Sequence, residues 1–391
     1  MRVVVSLLLV GIYPVLLVLP SAYGCSLCGA LQSRRTIRSE FTRAKIVAVG
    51  TISNPRFSTA PSARPGSGTT DFYVQFALKG KALLGKRRQL LLDRYLAIPD
   101  PKSPPRFLVF FDIVQGKLDP YHGRYVTSPA MLEYVKKTQY FSKLAPVARL
   151  QTYFPYFAHE DQEIAFDAFL EFAKASDQEV KDVAQLLPIQ PLRDLLTNKA
   201  TPTERINLYA FLVGVAGGEQ DARLLRKMIN NPTARTRGAM QGLLSGYLAL
   251  EPTEGWKLVY SMLSDPNLRY STKFSTAQVL RFYHGLDEHK YRPQVLHGLQ
   301  IILRDPDLAD VAIGDLRRWK MWDLTKEVLA HYDKKNYSSP LIRRGIIRYA
   351  LSCNQPAAAS FVKRVEGEDP RLIADVRKSL EWEARTLTPP G

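Results

Sequence analysis

The chain has 391 residues, of which 46% are hydrophobic, so it can form two or three domains with real cores and is too apolar to be disordered. Its three cysteines are too few for a disulfide scaffold. The net charge of +17 is uneven: residues 25–145 carry 20 Lys and Arg against 7 Asp and Glu, and residues 146–391 carry 33 against 30. Such a field attracts anionic partners, although it also keeps a domain soluble.

The first 24 residues have the pattern of an export signal. Arg2 is their only charge, a long apolar run follows it, and small residues precede Cys25. We therefore expect residues 1–24 to be a signal peptide removed after Gly24, and the protein to be exported (secreted, periplasmic or cell-envelope associated). A retained membrane anchor is the alternative, which the shortness of the apolar run disfavours.

Cys25 and Cys28 form a Cys-x-x-Cys pair with three open interpretations. A local disulfide is typical of an oxidising compartment. Small residues followed by cysteine also resemble a lipoprotein signal. If the protein is attached to a membrane, we expect the attachment to be a lipid on Cys25. A thiol–disulfide oxidoreductase needs a lowered thiol pKa. Zinc needs four ligands, and no second cysteine pair is present, so we expect no metal and no cofactor.

The N-terminal region predicts one helix followed by short strands. Apolar residues at helical spacing indicate a helix over residues 30–44, and residues 54–70 are rich in turn formers and predict a long loop. Gly50 predicts a bulge, and Gln115-Gly116 predicts a tight turn. The strands are expected at residues 45–52, 72–78, 89–93, 106–114 and 121–126. Residues 25–127 are therefore expected to form a small, basic β-barrel domain.

Five cations cluster around the second and third predicted strands, with no acidic residue among them: Lys79, Lys81, Lys86, Arg87 and Arg88. We expect this patch to bind an anionic partner. An anionic lipid, an acidic glycan or a cell-wall polymer fits an exported protein, whereas nucleic acid is less available there.

The order of Cys-x-x-Cys, helix, the strand at Ala44–Ile52, the loop, the strand ending at Lys79-Gly80 and the strand at Arg106–Phe110 resembles the netrin-like module. This module is shared with tissue inhibitors of metalloproteinases and implies an OB-type barrel and, as one possible function, metalloprotease inhibition. The sequence departs from the family, because its N-terminal cysteines have no later partner before Cys353, and the inhibitors carry Cys-x-Cys.

From about Ser128 the chain is expected to be helical. Asp161 predicts one helix N-cap, and Thr201-Pro202-Thr203-Glu204 predicts a capping box. Six polar-proline turns recur along this region: Thr201-Pro202, Asn231-Pro232, Asp265-Pro266, Asp305-Pro306, Ser339-Pro340 and Asp369-Pro370. The turns at Asp265 and Asp305 resemble those of HEAT repeats, which implies an α-solenoid over residues 128–385 with a tail at 386–391. An irregular helical bundle is the alternative.

One dense stretch of the helical region predicts an interaction ridge, formed by Arg317, Arg318, Trp319 and Trp322. Arginine and tryptophan can offer cation–π contacts to a partner. Packing of the tryptophans between helices is the alternative.

The sequence as a whole predicts an α+β protein, with a small OB or netrin-like β-barrel followed by an all-α HEAT-like solenoid. We expect a non-catalytic, extracytoplasmic interaction or scaffold protein with a protein partner, rather than an enzyme. The alternatives are a netrin-like metalloprotease inhibitor and an oxidoreductase that uses Cys25 and Cys28.

Overall fold

The structure, a computed structural model, describes residues 24–59 and 67–387. The predicted signal peptide before Gly24 and the last four residues of the predicted tail lie outside the described residues. The protein is α+β, with a small antiparallel sheet followed by a long helical region. The strands are β1 Ile46–Phe57, β2 Gly68–Lys79, β3 Gln89–Leu92, β4 Arg106–Val114 and β5 Lys117–Tyr125.

The five strands form an open sheet in the order β3-β2-β1-β4-β5, and every neighbouring pair is antiparallel. The predicted bulge is confirmed, because the register between β1 and β2 shifts between Val49 and Gly50. The predicted turn between β4 and β5 is also confirmed. Gln115 and Gly116 both have positive φ, 50° and 76°, as a tight turn between twisted strands requires.

Three predictions in the N-terminal region are wrong in their extent. The strand expected at 121–126 begins earlier, at Lys117, because Lys117 pairs with Val114 directly after the turn. The loop expected at 54–70 is shorter, because β1 runs to Phe57 and β2 begins at Gly68, and Arg56 Nε donates a hydrogen bond to Thr69 Oγ1 across the ladder. The helix expected at 30–44 is divided into a 3₁₀ helix, Ser26–Ser33, and helix α1, Ile37–Arg43. The break arises because Thr36 caps α1 by accepting from the Ser39 amide.

The sheet buries both of its faces over its central strands. Ile46 and Ala48 of β1 belong to a small core that residues 93–105 cover through Leu96 and Ile98. The alternate residues of β1, Val47 and Val49, point to the opposite face and join the core of the helical region. That second core is continuous from Cys25 to Val376, so the sheet is packed against the helices as part of one hydrophobic interior.

The helical region follows β5 directly. A one-turn helix, α2 Lys81–Leu84, precedes it between β2 and β3, and short 3₁₀ helices lie at Phe154–Ala158 and Lys335–Tyr337. The remaining helices are α3 Pro129–Phe141, α4 Pro146–Tyr153, α5 Gln162–Lys174, α6 Asp177–Ala184, α7 Ile189–Thr197, α8 Thr203–Ala216, α9 Glu219–Asn230, α10 Ala234–Arg237, α11 Met240–Leu250, α12 Pro252–Ser264, α13 Tyr270–Leu286, α14 Glu288–Leu303, α15 Ala309–Arg318, α16 Thr325–Ala330, α17 Pro340–Ser352, α18 Pro356–Glu368 and α19 Pro370–Leu387.

All six predicted polar-proline turns lie at helix boundaries. The predicted cap at Asp161 is confirmed, since its side chain accepts from the Glu163 amide at the start of α5. The predicted capping box before α8 is wrong. Pro202 is itself the N-cap, and the Thr201 hydroxyl donates instead to the carbonyl of Leu195 in α7. Among the described residues, no helix is both long enough and apolar enough to cross a bilayer.

Candidate functional site

The turn that connects β2 to β3 carries most of the predicted basic patch. Gly80 and Gly85 flank α2 and both have positive φ, 72° and 63°, which lets the chain reverse within a few residues. A Cβ at Gly80 would lie 2.2 Å from the Lys45 carbonyl oxygen, so only glycine allows this close approach. The result is a compact basic hairpin, which we define as residues 80–88.

Four cations of the basic hairpin are exposed: Lys81, Lys86, Arg87 and Arg88. In the described part of the chain, none of the four forms an ion pair with a carboxylate. The one polar contact found for these side chains joins Arg87 Nη1 to the Leu83 carbonyl oxygen at 3.3 Å. Their charges therefore face solvent without internal neutralisation, as an anion-binding surface requires.

Lys79, the fifth predicted cation, has a different role. Its Nζ donates to the carbonyl oxygens of Phe41 and Thr42, at 2.8 and 2.9 Å, in the last turn of α1. Burial and the nearby Lys45 lower the pKa of Lys79. Because its donors are used to hold α1 against the sheet, Lys79 is a structural contact more than a free member of the patch.

Beside the basic hairpin, one face of β2 and β3 is left uncovered by the helices. The exposed fractions of Tyr73, Phe76 and Leu91 are 41%, 40% and 52%. Tyr73 and its partner across the ladder, Gln89, share this face, and so does Leu91 two residues further along β3. Leu83, with 48% of its surface exposed, adds an apolar group within the basic hairpin. Cations and apolar side chains are thus next to each other at this edge of the sheet.

Asp71, the acidic residue of β2, is already neutralised by a cation. Asp71 forms an ion pair with Arg56, with Oδ1 and Nη2 2.6 Å apart, and also accepts from Asn54 and Gln89. These hydrogen bonds lower the pKa of Asp71. The local balance therefore stays positive around the basic hairpin.

Cys25 and Cys28 are both buried, and their sulfur atoms are 2.9 Å apart. They pack in the core of the helical region rather than between the strands, because the 3₁₀ helix that begins directly after Cys25 and contains Cys28 lies against α5 and α8. Burial raises the pKa of the Cys25 thiol well above its usual value, and the neighbouring Cys28 raises it further. This environment disfavours the thiolate that thiol–disulfide exchange requires.

Every residue of the predicted ridge contacts another side chain of the same chain. The contacts join Arg317 to Glu383 at 2.7 Å, Arg318 to Asp315 at 3.0 Å, Trp319 to His284 with ring centroids 3.9 Å apart, and Trp322 to Tyr349 with centroids 5.0 Å apart. Of the four, only Arg318 is exposed. The ridge is therefore largely engaged in contacts between helices.

Sequence reasoning missed a buried charged cluster between the sheet and the helices. Asp167 of α5 is fully buried and accepts from the Ile37 amide at 2.7 Å and from Tyr134 Oη at 2.9 Å. Burial raises the pKa of Asp167 to about 6, although Arg124, 3.7 Å away, opposes the shift. Its partners are far away in sequence, so no local pattern could have indicated the cluster.

One helical turn further along α5, Glu171 forms a second buried contact with the N-terminal region. Arg38 of α1 donates to both carboxylate oxygens of Glu171, at 3.1 and 3.0 Å. Asp167 and Glu171, the two buried carboxylates of α5, are thus already occupied by backbone and side-chain donors. Such groups fix the sheet on the helices, and neither is positioned as a free acid or base.

Two concave regions accompany these elements. A cleft of about 460 Å³ lies between β5 and α5 and is lined by three arginines, Arg34, Arg35 and Arg124, together with carboxylates. A more apolar groove of about 640 Å³ lies between α4 and α7, with Phe154 and Leu186 in its lining. Among residues 24–59 and 67–387, no three His, Cys, Asp or Glu side chains are grouped closely enough to hold a metal ion.

Comparison of the sequence with protein-family models and with curated proteins found no match. The class of protein defined by the fold is an α+β chain with a five-stranded open sheet packed on a long helical region. Functional inference therefore rests on the side chains described above.

Proposed function

We propose that this protein is a non-catalytic interaction protein outside the cytoplasm, and that its basic N-terminal sheet binds an anionic partner or surface. The observation that carries the proposal is the basic hairpin. Lys81, Lys86, Arg87 and Arg88 are exposed, form no ion pair in the described part of the chain, and lie within a segment of eight residues that contains no acid.

The exposed apolar side chains next to these cations support the same proposal. Phosphate, sulfate and carboxylate groups are attracted by several unpaired cations at once. Leu83, Tyr73 and Phe76 would then gain from leaving water at the same contact, at about 25 cal/mol per Å² of apolar surface removed. Since exposed charges are screened within about 8 Å at physiological ionic strength, the charged part of this binding must weaken as salt rises.

Sedimentation with lipid vesicles tests the proposal. Vesicles that contain phosphatidylglycerol and phosphatidylcholine should retain the protein at 50 mM salt and release most of it at 500 mM. Vesicles of phosphatidylcholine alone should retain little. Soluble heparin should compete with the anionic vesicles, because it presents the same kind of charge in solution.

The matched variants change charge at two different places. Reversal of Lys86, Arg87 and Arg88 to Glu should reduce retention at least tenfold. Reversal of Lys199, Lys326 and Lys363 to Glu, which are exposed on the helical region, alters the net charge equally and should reduce it far less. Equal losses in the two triple variants, or retention that is the same at both salt concentrations, would contradict the proposal.

We also propose the finer architecture that the sequence indicates, an OB-type, netrin-like β domain and a HEAT-like solenoid that binds a protein partner. The prolines at six helix boundaries and the helical hairpins formed by α13 with α14 and by α17 with α18 support the solenoid. The apolar groove near Leu186 offers a concave surface for a protein. An experimental structure in which β3 and β5 are joined by hydrogen bonds would support the barrel.

The two alternative functions receive less support from the position of Cys25. Metalloprotease inhibition needs an accessible amine at Cys25, but this nitrogen donates to the Ala173 carbonyl oxygen at 3.1 Å inside the fold. Oxidoreductase activity needs a reactive thiol, but burial raises the pKa of Cys25. A lipid on the Cys25 sulfur, which is fully buried here, would have to displace this segment.

A further inference from the structure

The carboxylate of Asp177, at the start of α6, contacts the N-terminal segment, which we define as residues 24–33. Its Oδ1 accepts from the backbone amide of Ser26 at 2.8 Å. Burial raises the pKa of Asp177 to about 6, and no cation contributes to the shift. In the described part of the chain, no Lys, Arg or His forms an ion pair with it. Asp177 is partly buried, and a carboxylate that loses hydration without gaining a cation is costly, so such groups are usually paired.

The backbone nitrogen of Cys25 lies within about 7 Å of Asp177 Oδ1, because the next residue, Ser26, donates to that oxygen at 2.8 Å. It precedes the Ser26 nitrogen by three covalent bonds, a span of about 4 Å at most. The Cys25 nitrogen also donates to the carbonyl oxygen of Ala173, 3.1 Å away, in the last turn of α5. Carbonyl groups at the C-terminus of a helix carry partial negative charge and favour cations. The Cys25 nitrogen thus contacts one such carbonyl group and has the Asp177 carboxylate nearby, and both groups would stabilise a positive charge.

The residue before Cys25 is held tightly against the same carbonyl group. A Cβ on Gly24 would lie 2.6 Å from the Ala173 oxygen, so a side chain there would force the segment to move. Gly24 is also the last residue of the predicted signal peptide. The point at which cleavage is expected from sequence therefore lies beside a carboxylate that forms no ion pair in the described part of the chain, since the nearby ammonium group of Lys174 donates to the Gln32 carbonyl oxygen instead.

We propose that cleavage between Gly24 and Cys25 creates an α-ammonium group that is the missing cationic partner of Asp177, held jointly with the Ala173 carbonyl group. In this step water hydrolyses the Gly24–Cys25 peptide bond in a reaction catalysed by an external peptidase. The Gly24 carbonyl carbon gains the hydroxyl, and the Cys25 nitrogen gains the hydrogen and a further proton at neutral pH. Maturation thus completes an internal ion pair that anchors the N-terminal segment.

The first measurement is the intact mass of the protein after the full-length chain is expressed in a host that exports it. The expected mass is that of residues 25–391 with an unmodified amine. A different N-terminus, or an acylated Cys25, would overturn the proposal.

The second measurement compares four purified forms, made by removing a fusion tag at a defined residue. Two begin at Cys25 and two begin at Gly24, and at each start one form keeps Asp177 while the other carries the Asp177→Asn substitution. Starting at Gly24 moves the ammonium group by one residue. With Asp177 present, this shift should lower the melting temperature by about 2 °C or more. In the two Asp177→Asn forms the shift should have little effect, because the charge partner is gone.

The reactivity of the amine separates ion pairing from a general loss of stability. In the form that begins at Cys25, acetylation of the α-amine at pH 7 should be at least tenfold slower than in its Asp177→Asn variant. The control is Asp182→Asn in the same helix, which should leave the rate unchanged. Equal acetylation rates with and without the Asp177→Asn substitution would disprove the pairing. So would a change in melting temperature, between the forms that start at Cys25 and at Gly24, that is the same with Asp177 as with Asn at this position. Neither readout depends on the basic hairpin, so this inference and the proposed function can fail separately.

Discussion

Individual buried and partly buried polar residues decide how residues 24–37 are attached to the helical region. Asp177 and Asp167 each accept a hydrogen bond from a backbone amide of these residues, at 2.8 Å from Ser26 and 2.7 Å from Ile37. Removing either carboxylate would leave a donor unsatisfied, at a cost of about 1–3 kcal/mol. These two acids also have raised pKa values, so their contribution to stability depends on pH.

We predict that the stability of the Asp167→Asn variant, relative to the wild type, is higher at pH 7.5 than at pH 5. The pKa of folded Asp167, about 6, exceeds the ordinary value of 3.8, so ionisation opposes folding increasingly as pH rises from about 4 through 6. Asparagine cannot ionise and escapes this cost. The difference between the two pH values should be roughly 1 kcal/mol, measured by urea unfolding.

The exposed carboxylate of Asp375 provides the comparison for this experiment. The Asp375→Asn variant should show no comparable difference between the two pH values. If Asp167→Asn behaves like Asp375→Asn, the carboxylate of Asp167 is not penalised by burial as described.

We predict that Cys25 and Cys28 in the reduced, native protein react slowly with iodoacetamide. Both side chains are buried, and the thiol pKa of Cys25 is raised, so little thiolate is present at neutral pH. Cys353 is less buried and should react first. Alkylation followed by peptide mass spectrometry should show at least about tenfold slower labelling of the pair than in urea. Fast labelling in the native state would favour the oxidoreductase alternative.

At the scale of elements, close approach between helices depends on glycine. Helices α8 and α11 are in extensive contact, and a Cβ on Gly246 of α11 would lie 2.3 Å from the Ala210 carbonyl oxygen of α8. In contrast, a Cβ on Gly314 of α15 would meet no atom within 4 Å. Both glycines lie within helices. Comparing the same substitution at the two positions therefore separates the effect of packing on stability from the effect of helix propensity.

We predict opposite effects of alanine at these two positions. Gly246→Ala should destabilise the protein by about 1–3 kcal/mol, because α8 and α11 must move apart. Gly314→Ala should be neutral or stabilising by up to about 1 kcal/mol, because alanine favours the helix and has space there. Urea midpoints with unchanged slopes would measure both effects. A stable Gly246→Ala variant would show that the α8–α11 contact is looser than described.

At the scale of the molecule, the sheet and the helices share a core. Val47, Val49, Leu108 and Phe110 from the sheet belong to the same buried cluster as the helices. Arg38 and Glu171 bridge the two parts, with Nη2 and Oε2 2.9 Å apart. The two parts should therefore depend on each other for stability.

We predict that residues 25–127 alone do not form a stable sheet. The fragment would expose the face of Val47, Val49, Leu108 and Phe110 to water, and a small domain that loses the cover of one apolar face is marginally stable. Its proton NMR spectrum should lack the dispersion of a folded β protein, whereas the chain from residue 25 to 391 should unfold in one transition. A well-dispersed spectrum of the fragment would show that the sheet is an independent domain.

Local patterns in the sequence were sufficient for some of the elements. The strand at Arg106–Val114, the turn at Gln115-Gly116 and the cap at Asp161 were predicted because alternation, turn chemistry and capping act within a few residues. The exposed cations of the basic hairpin were also accessible to sequence reasoning, since a run of charges between two strands usually faces water. These features depend on residues that are close to each other in the sequence.

Only the tertiary structure decided which of these residues are free and which are occupied. Lys79 belongs to the same run of cations, but its amine is used by the last turn of α1. Ser26 and Asp177 are separated by 151 residues, and Ile37 and Asp167 by 130. Contacts over such separations arise when the helices bury their apolar faces against the sheet, and no local periodicity encodes them. The sequence by itself therefore determined those elements that depend on local patterns and the sign of the charge around the basic hairpin, whereas packing determined the partners and the extent of the other elements.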